Sequence, residues 1–486
     1  MLFNSYIFIL IFLPLCLAGY YTLNHFGFFR AGLIFLLGMS LWFYGYFNPW
    51  YLLLICTSIG ANYLFYRLLI LPKEEKTRKL IFTAGIIFNL GVLGYFKYTD
   101  FFIRNINAVF RTDIPLQNIL LPLGISFFTF QQISFITDTY RVVTDEAARY
   151  TLTEYAAYIA FFPQLVAGPI VTHDILVPQL KDPAKKRISW EYMSKGLAIF
   201  TLGLAKKVLL ADAFGNVVNL CFPTVEVLNT ASAFIAMLSY TFQIYFDFSG
   251  YSDMAVGLGW MLGIDLPVNF DSPYKAKSVS EFWERWHMTL TSFFTKYVYI
   301  PLGGSRKGKA ATYRNIFIVF FLSGLWHGAG WNFILWGVMH GMAMIFERAF
   351  KKTLDRIPGI IRWVFTFGFI NVTWVFFRAA DIRSALLMLR CIAGMNFDSI
   401  DLITGRYSPF MKKLMDQLQL TGLLPSYVPV IMFLAFALAI VLLLPNAKAI
   451  AERSTRYKLA AAGLAVLLTW CVFSFSGMST FLYFNF

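Results

Sequence analysis

Apolar positions along the chain come in runs long enough to cross a bilayer, for which ~20 residues suffice because ~30 Å of hydrocarbon is divided by a 1.5 Å helical rise. Such runs fall near 6–23, 31–48, 50–71, 80–96, 119–136 and 152–171, then near 195–212, 229–248, 252–264, 313–331, 332–348, 360–378, 428–445 and 459–477. Several are short or broken by Gly and Pro, notably Leu121-Pro122-Leu123-Gly124 and Pro163 to Pro169. Irregular backbone at membrane depth is tolerated only where protein or a water-filled cavity covers it. The pattern therefore predicts an all-α polytopic membrane protein with about eleven transmembrane helices plus re-entrant or interfacial helices. The one long stretch of ordinary polarity, 265–312, mixes aromatics and charges at helical spacing in Phe282-Trp283-Glu284-Arg285-Trp286-His287 and reads as amphipathic helices at the membrane surface. A smaller polar stretch lies at 395–425. Repeats at solenoid periods and low-complexity tracts are absent, so 1–486 is read as one domain.

Composition sharpens this. The 486 residues are 58% hydrophobic and 14% charged, against ~25% charged in soluble domains, so the lipid bilayer is the expected surrounding and an ordinary cytosolic enzyme is excluded. The formal charge of +15 would raise nucleic acid as a partner in a soluble protein. Here the basic residues fall between apolar runs, and aromatic-interleaved basic patches are missing, so no nucleic-acid partner is expected. The basic segments 72–79, 181–187, 305–309 and 446–458 read as cytoplasmic, which sends the last span outward and leaves Phe481-Leu482-Tyr483-Phe484-Asn485-Phe486 at the outer face. Five scattered cysteines form no CxxC pair and read as small hydrophobes. No basic residue precedes the first apolar run, the first Arg being Arg30, so a cleavable signal peptide is not expected.

Five histidines occur. His25 and His173 lie beside predicted loop ends and read as interfacial. His287 follows Glu284-Arg285-Trp286, His327 lies in Trp326-His327-Gly328, and His340 in Met339-His340-Gly341. An ionisable side chain in an apolar segment is costly unless it is paired or faces a cavity. His327 and His340 are thus either functional imidazoles, approached closely over the glycine that follows each, or packing histidines that hydrogen-bond across the bundle. A neutral imidazole is the usual general base for a hydroxyl or thiol. G-x-S-x-G, P-loop, G-x-G-x-x-G and HExxH patterns are absent, and 287, 327 and 340 lack i, i+4 spacing, so no metal site and no resident cofactor are expected. The pattern favours acid–base acyl transfer. A second polar cluster, Gln243 to Asp253, puts Asp247 and Asp253 where burial costs ~2.5–3.5 kcal/mol each. Either they line a polar passage or they end two helices at the interface, Ser252 and Asp253 suiting a helix N-terminus.

These motifs together resemble the membrane-bound O-acyltransferase family, in particular its bacterial alginate O-acetyltransferase-like branch. The resemblance runs through Met1-Leu2-Phe3-Asn4-Ser5, Leu121 to Phe127, Phe162 to Ile170, Tyr245 to Asp253, Phe282 to Met288, Trp326-His327-Gly328 and Trp374 to Ala379. It implies helices around a central tunnel, with His327 as the catalytic histidine, His287 at the second signature position and His340 matching a further branch histidine. His340, Trp283, Arg285, Asp247 and Asp253 are the expected substrate contacts. The implied function is transfer of acetyl from a cytoplasmic thioester, acetyl-coenzyme A, for O-acetylation of a cell-surface polysaccharide or peptidoglycan, in a bacterial inner membrane and with an extracytoplasmic SGNH-type transferase as partner. The tail motif Phe481-Leu482-Tyr483-Phe484 looks like the closing motif of this branch and like the end of the companion peptide in teichoic acid D-alanylation. It implies Tyr483 as an acyl carrier, the alternative being an interfacial aromatic belt. The rival functions are D-alanyl transfer and a non-catalytic polymer export channel.

Overall fold

The computed structural model describes residues 1–71, 73–141, 150–396, 428–454, 456–475 and 481–482. Among these the regular elements are helices, with one isolated antiparallel bridge between Phe270 and Trp286. The first part of the chain forms α1 (Leu13–His25), α2 (Phe29–Gly45), α3 (Trp50–Ile70), α4 (Glu75–Phe110) and α5 (Ile125–Arg141). The short α6 (Leu152–Ala160), α7 (Phe162–Leu165) and α8 (His173–Lys181) follow, then α9 (Trp190–Ala205), α10 (Asp212–Cys221) and the long α11 (Thr230–Met261). The polar stretch holds α12 (Val279–Arg285) and α13 (Met288–Phe294); beyond it come α14 (Gly308–His327), α15 (Trp331–Ala349), α16 (Lys351–Leu354), α17 (Gly359–Arg378) and α18 (Ile382–Ala393). The last described helices are α19 (Val428–Leu443), α20 (Ala447–Ser454) and α21 (Lys458–Phe473). Phe8–His25, α3, α4 and α17 are long and apolar enough to cross a membrane, and α19 with α20, bent by 74°, makes a fifth candidate. The other apolar runs form shorter or more polar helices.

Three local expectations are corrected. The runs 229–248 and 252–264 are one helix, α11, so Asp247 and Asp253 sit inside it and neither ends a helix. The run at 80–96 belongs to a helix that continues to Phe110, because the polar residues from Lys97 onward alternate with Phe and Ile without a breaker. The run at 152–171 is helical only to Leu165; Phe161 takes φ −51°, ψ 107°, and the chain then passes Gly168-Pro169.

Buried along nearly its whole length, α11 has its most extensive helix contact with α9. Glycines make that contact: a Cβ on Gly203 would stand 2.5 Å from the Gly250 carbonyl oxygen, and one on Gly196 2.7 Å from that of Gly257. Both pairs are seven residues apart in each helix, so the two backbones approach along one seam, as small residues permit in lipid. Where α9 ends, Lys206–Ala211 continue as a π-helical turn. Lys206 reaches Asp253 at 2.6 Å, while Lys207 reaches Asp247 at 2.7 Å and Asp212 at 2.8 Å. The Asp side chains that looked like a helix break are thus neutralised from the neighbouring helix, and α11 runs through. We expect Gly203→Leu to lose the folded state, overpacking this seam by about 3 kcal/mol; Gly60→Ala on α3, where an added Cβ meets nothing within 4 Å, should be silent. Size-exclusion profiles and melting of the detergent-solubilised variants check this.

A second polar tie joins α3, α4 and α5. Ser58 Oγ and Asn62 Nδ2 donate to Gln132 Oε1 at 2.8 and 2.6 Å, and Asn89 Nδ2 donates to Asn62 Oδ1 at 2.6 Å. Such bonds hold helices together where no hydrophobic gain is available. The basic segments are also linked. Arg78 donates to the Tyr140 carbonyl at 3.0 Å, Asp138 meets Lys296 at 2.9 Å, Glu154 meets Lys181 at 3.1 Å and Lys185 meets Asp265 at 2.6 Å, while Lys448 stands 5.7 Å over the Trp260 ring. Residues of 72–79, 181–187 and 446–458 are thus each tied to a neighbouring segment. Phe475, just past α21, packs edge-on against Tyr6 at 5.0 Å.

Candidate active site

His327 is the last residue of α14, followed by Gly328 in extended conformation. Helix ends leave carbonyls without intrahelical partners, and here α4 supplies the donors. Tyr98 Oη donates to the Leu325 carbonyl at 2.5 Å, and Lys97 Nζ to the carbonyls of Trp326 and His327 at 2.5 and 3.2 Å. On the other side α15 approaches closely: a Cβ on Gly337 would lie 3.0 Å from Gly324 Cα. These contacts fix the His327 backbone. The residue is 3% exposed, its ring enclosed by Trp326, Trp336 and Phe377 at centroid distances of 4.8, 5.0 and 5.2 Å.

His287 stands between α12 and α13 with φ +47° and ψ 51°, a left-handed conformation rare for a residue with a Cβ. The strand-like pairing of 269–271 with 285–288 holds it there: Asp271 N–H donates to the Arg285 carbonyl at 2.9 Å and Met288 N–H to the Asn269 carbonyl at 3.0 Å. Asn269 Oδ1 accepts from the Thr289 N–H at 3.2 Å and from Thr289 Oγ1 at 3.0 Å, and lies 3.1 Å from His287 Nδ1. An amide oxygen only accepts, so Nδ1 carries the proton and Nε2 of the neutral ring is the basic nitrogen. His340, fully buried, has its tautomer set the other way. Trp283 Nε1–H donates to Nδ1 at 3.1 Å, so Nε2 carries the proton and donates a hydrogen bond to Thr373 Oγ1, also at 3.1 Å. Both His340 nitrogens are thereby engaged, bridging α12, α15 and α17 in the manner of a packing histidine.

Tryptophans space the three imidazoles. Trp326 lies 6.2 Å from His287 and 4.8 Å from His327; Trp336 lies 5.0 Å from His327 and 4.9 Å from His340. A cavity of about 30 Å³ reaches this row, with Lys97, Gly124, Val166, Trp326 and His327 in its wall. That is room for about one or two waters or a small polar group. The broken segments form its side. Gly124 has φ +71° and an added Cβ would stand 2.6 Å from the Leu165 carbonyl oxygen, so 121–127 lies directly on 163–169. Ile170 N–H then donates to Thr289 Oγ1 at 3.0 Å, tying that segment to α13.

The remaining candidates are placed around this row. Trp283 is buried and holds His340. Arg285 is part-exposed and committed to Glu281 and Asp271 at 3.1 and 3.6 Å. Asp247 and Asp253 form the ion pairs with Lys207 and Lys206. Asp247 Oδ2 also accepts the Leu482 N–H at 2.8 Å, and Phe481 packs on Tyr251 at 4.7 Å and on Phe248 at 5.8 Å. Phe248 in turn meets His287 edge-on at 4.8 Å, and Phe3 stacks on Tyr251 at 4.6 Å. Tyr483 lies outside the described residues. The motifs from 1–5 to 374–379 therefore converge on one shell. Among the described residues no group of three His, Cys, Asp or Glu side chains is placed to hold a metal ion. Sequence reading missed Lys97, Lys206 and Lys207, although lysines within apolar helices are a usable signal. It also missed Asn269, which nothing in the sequence marks.

The family model described as MBOAT, membrane-bound O-acyltransferase family, matches residues 95–382. The chain is 37% identical to a peptidoglycan O-acetyltransferase of Helicobacter pylori, over 100% of this chain and 98% of that protein. It is 38% identical to a probable alginate O-acetylase of Pseudomonas aeruginosa over 80% and 74% of the two chains. A teichoic acid D-alanyltransferase of Bacillus subtilis is 27% identical over 67% and 81%.

Proposed function

We propose, for a chain that belongs to the membrane-bound O-acyltransferase family, that it moves acetyl from a cytoplasmic thioester through the membrane for O-acetylation of a cell-surface polysaccharide or of peptidoglycan. It is a multi-pass membrane acyltransferase. O-acetyl transfer is favoured over D-alanyl transfer because the acetylating relatives are more similar and match more of this chain. The observation that carries the site assignment is the buried row His287–Trp326–His327, meeting a cavity beside a helix end tied down by Lys97 and Tyr98.

The chemistry follows from those groups. A hydroxyl oxygen attacks the thioester carbonyl while His327 takes its proton; the C–O bond forms, the C–S bond breaks, and the proton passes to the departing thiolate. General-base assistance of this kind is worth ~10²–10⁴-fold. His287, its Nδ1 proton held by Asn269, presents Nε2 as a second acceptor, and Tyr483 is the hydroxyl that first receives acetyl. Trp283 and His340 position the row, Arg285 lies at its approach, and Asp247 and Asp253 hold the elements on which the tail rests. The donor is acetyl-coenzyme A, and the chain brings no resident cofactor. About eleven spans surround a central tunnel in this reading, among them Phe8–His25, α3, α4, α17 and the bent pair α19–α20. By the positive-inside rule the basic segments are cytoplasmic and the membrane is the bacterial inner one. An SGNH-type transferase on the other side hands acetyl to the polymer, as the resemblance to the alginate-like branch implies.

The test is donor use. Purified protein incubated with radiolabelled acetyl-coenzyme A is expected to take up label, and not to take it from a D-alanyl carrier protein. Label from the carrier protein instead would replace acetyl by D-alanyl. Label from neither would favour the export channel.

A further inference from the structure

The run Lys185-Lys186-Arg187 carries three adjacent cations with different surroundings. Lys185 Nζ meets Asp265 at 2.6 Å and donates to Gln179 Oε1 at 2.8 Å. Among the described residues neither Lys186 nor Arg187 has a carboxylate within 4.0 Å; Asp182 acts on Lys186 only from farther away. Lys186 is nevertheless 9% exposed, its ammonium 4.8 Å over the Phe29 ring. Burial holds its pKa below the ordinary lysine value, a cost that a bound anion would reverse.

Both cations border an open groove of about 1360 Å³ between α1 and the 183–193 segment. Leu17, Ala18 and Tyr21 form its apolar wall, and Trp190, 75% exposed, stands at its rim. Asn24, 5% exposed, lines it too, and among the described residues its Oδ1 has no hydrogen-bond partner. The groove exceeds the ~300–1,000 Å³ usual for small-molecule sites. A soluble phosphate would satisfy the cations and leave the apolar wall wet, whereas an acyl chain would cover it. Basic pockets between helices on the cytoplasmic side are also where anionic headgroups collect.

We infer that this groove holds one anionic glycerophospholipid, its phosphate on Lys186 and Arg187 and an acyl chain along Leu17, Ala18 and Tyr21.

Native mass spectrometry of the full chain in detergent tests it, with dioleoyl-phosphatidylglycerol, dioleoyl-phosphatidylcholine and inorganic phosphate in separate arms. One phosphatidylglycerol should be retained per chain, at least about tenfold more tightly than phosphatidylcholine, and excess inorganic phosphate should not displace it. Lys186→Ala with Arg187→Ala should lose that preference, and the charge-keeping pair Lys186→Arg with Arg187→Lys should retain it. Ala18→Trp, which fills the groove without touching either cation, should lose the lipid while keeping its melting temperature. Equal retention of the two lipids, an unchanged preference in the double alanine variant, or full retention in Ala18→Trp overturns the inference. Displacement by inorganic phosphate overturns it in favour of a soluble-phosphate site.

Discussion

His327→Ala is expected to lower acetyl transfer by about 10³-fold or more while the chain still folds. The size of the effect follows from where the imidazole sits. Its backbone is pinned by Lys97 and by the α14–α15 approach, so the ring is held rather than searching for its position, and it meets a small cavity in an otherwise aromatic wall. A base placed in that way contributes through orientation as well as through proton transfer. Alanine removes the ring and leaves a void among Trp326, Trp336 and Phe377, which costs stability as well. His327→Gln therefore belongs beside it: it fills more of the void, keeps hydrogen-bonding groups and has no basic nitrogen. Both variants should elute and melt as folded protein, and both should fail in single-turnover transfer from radiolabelled acetyl-coenzyme A. Transfer within threefold of wild type by a folded His327→Gln protein would remove His327 from the chemistry.

His340 provides the contrast. It too is buried among aromatic rings, but Trp283 and Thr373 occupy both of its nitrogens. Sequence alone treats the two histidines alike, since each sits in an apolar run and each precedes a glycine. What separates them is place: His327 lines the small cavity beside Lys97 and Gly124, whereas His340 spans Thr373 and Trp283, 33 and 57 positions away, and neither setting carries a local signature. The apolar runs, by contrast, were legible because a bilayer demands length and apolarity from each span by itself. The junction near 248–252 was misread for the same reason that His340 was ambiguous. Two aspartates and a glycine look like a break until Lys206 and Lys207 of the adjoining helix neutralise the charge and Gly203 fills against Gly250. Those lysines stand in an apolar run and were open to the same argument from cost that singled out the histidines. Asn269 is different. Its weight comes wholly from the turn that brings it to His287 and Thr289.

Tyr483→Phe is expected to abolish acetylation of the polymer, by about 100-fold or more, with donor binding and folding intact. The residues before it carry the argument. Asp247 accepts the Leu482 N–H at 2.8 Å while its other oxygen holds Lys207 at 2.7 Å. Phe481 lies between Tyr251 and Phe248, and Phe248 touches His287. The chain is thus anchored at the His287 shell through Phe481 and Leu482. An aromatic belt at the membrane surface would need no buried carboxylate holding its backbone. The Phe variant retains the ring and removes only the phenolic oxygen. If that oxygen takes acetyl from the thioester with His327 as base, the wild-type chain carries an ester-linked label that hydroxylamine releases, found on the C-terminal peptide. The variant then carries none and passes none to the polymer. Full polymer acetylation by Tyr483→Phe would return the tail to the role of an interfacial anchor and move the acyl acceptor off this chain.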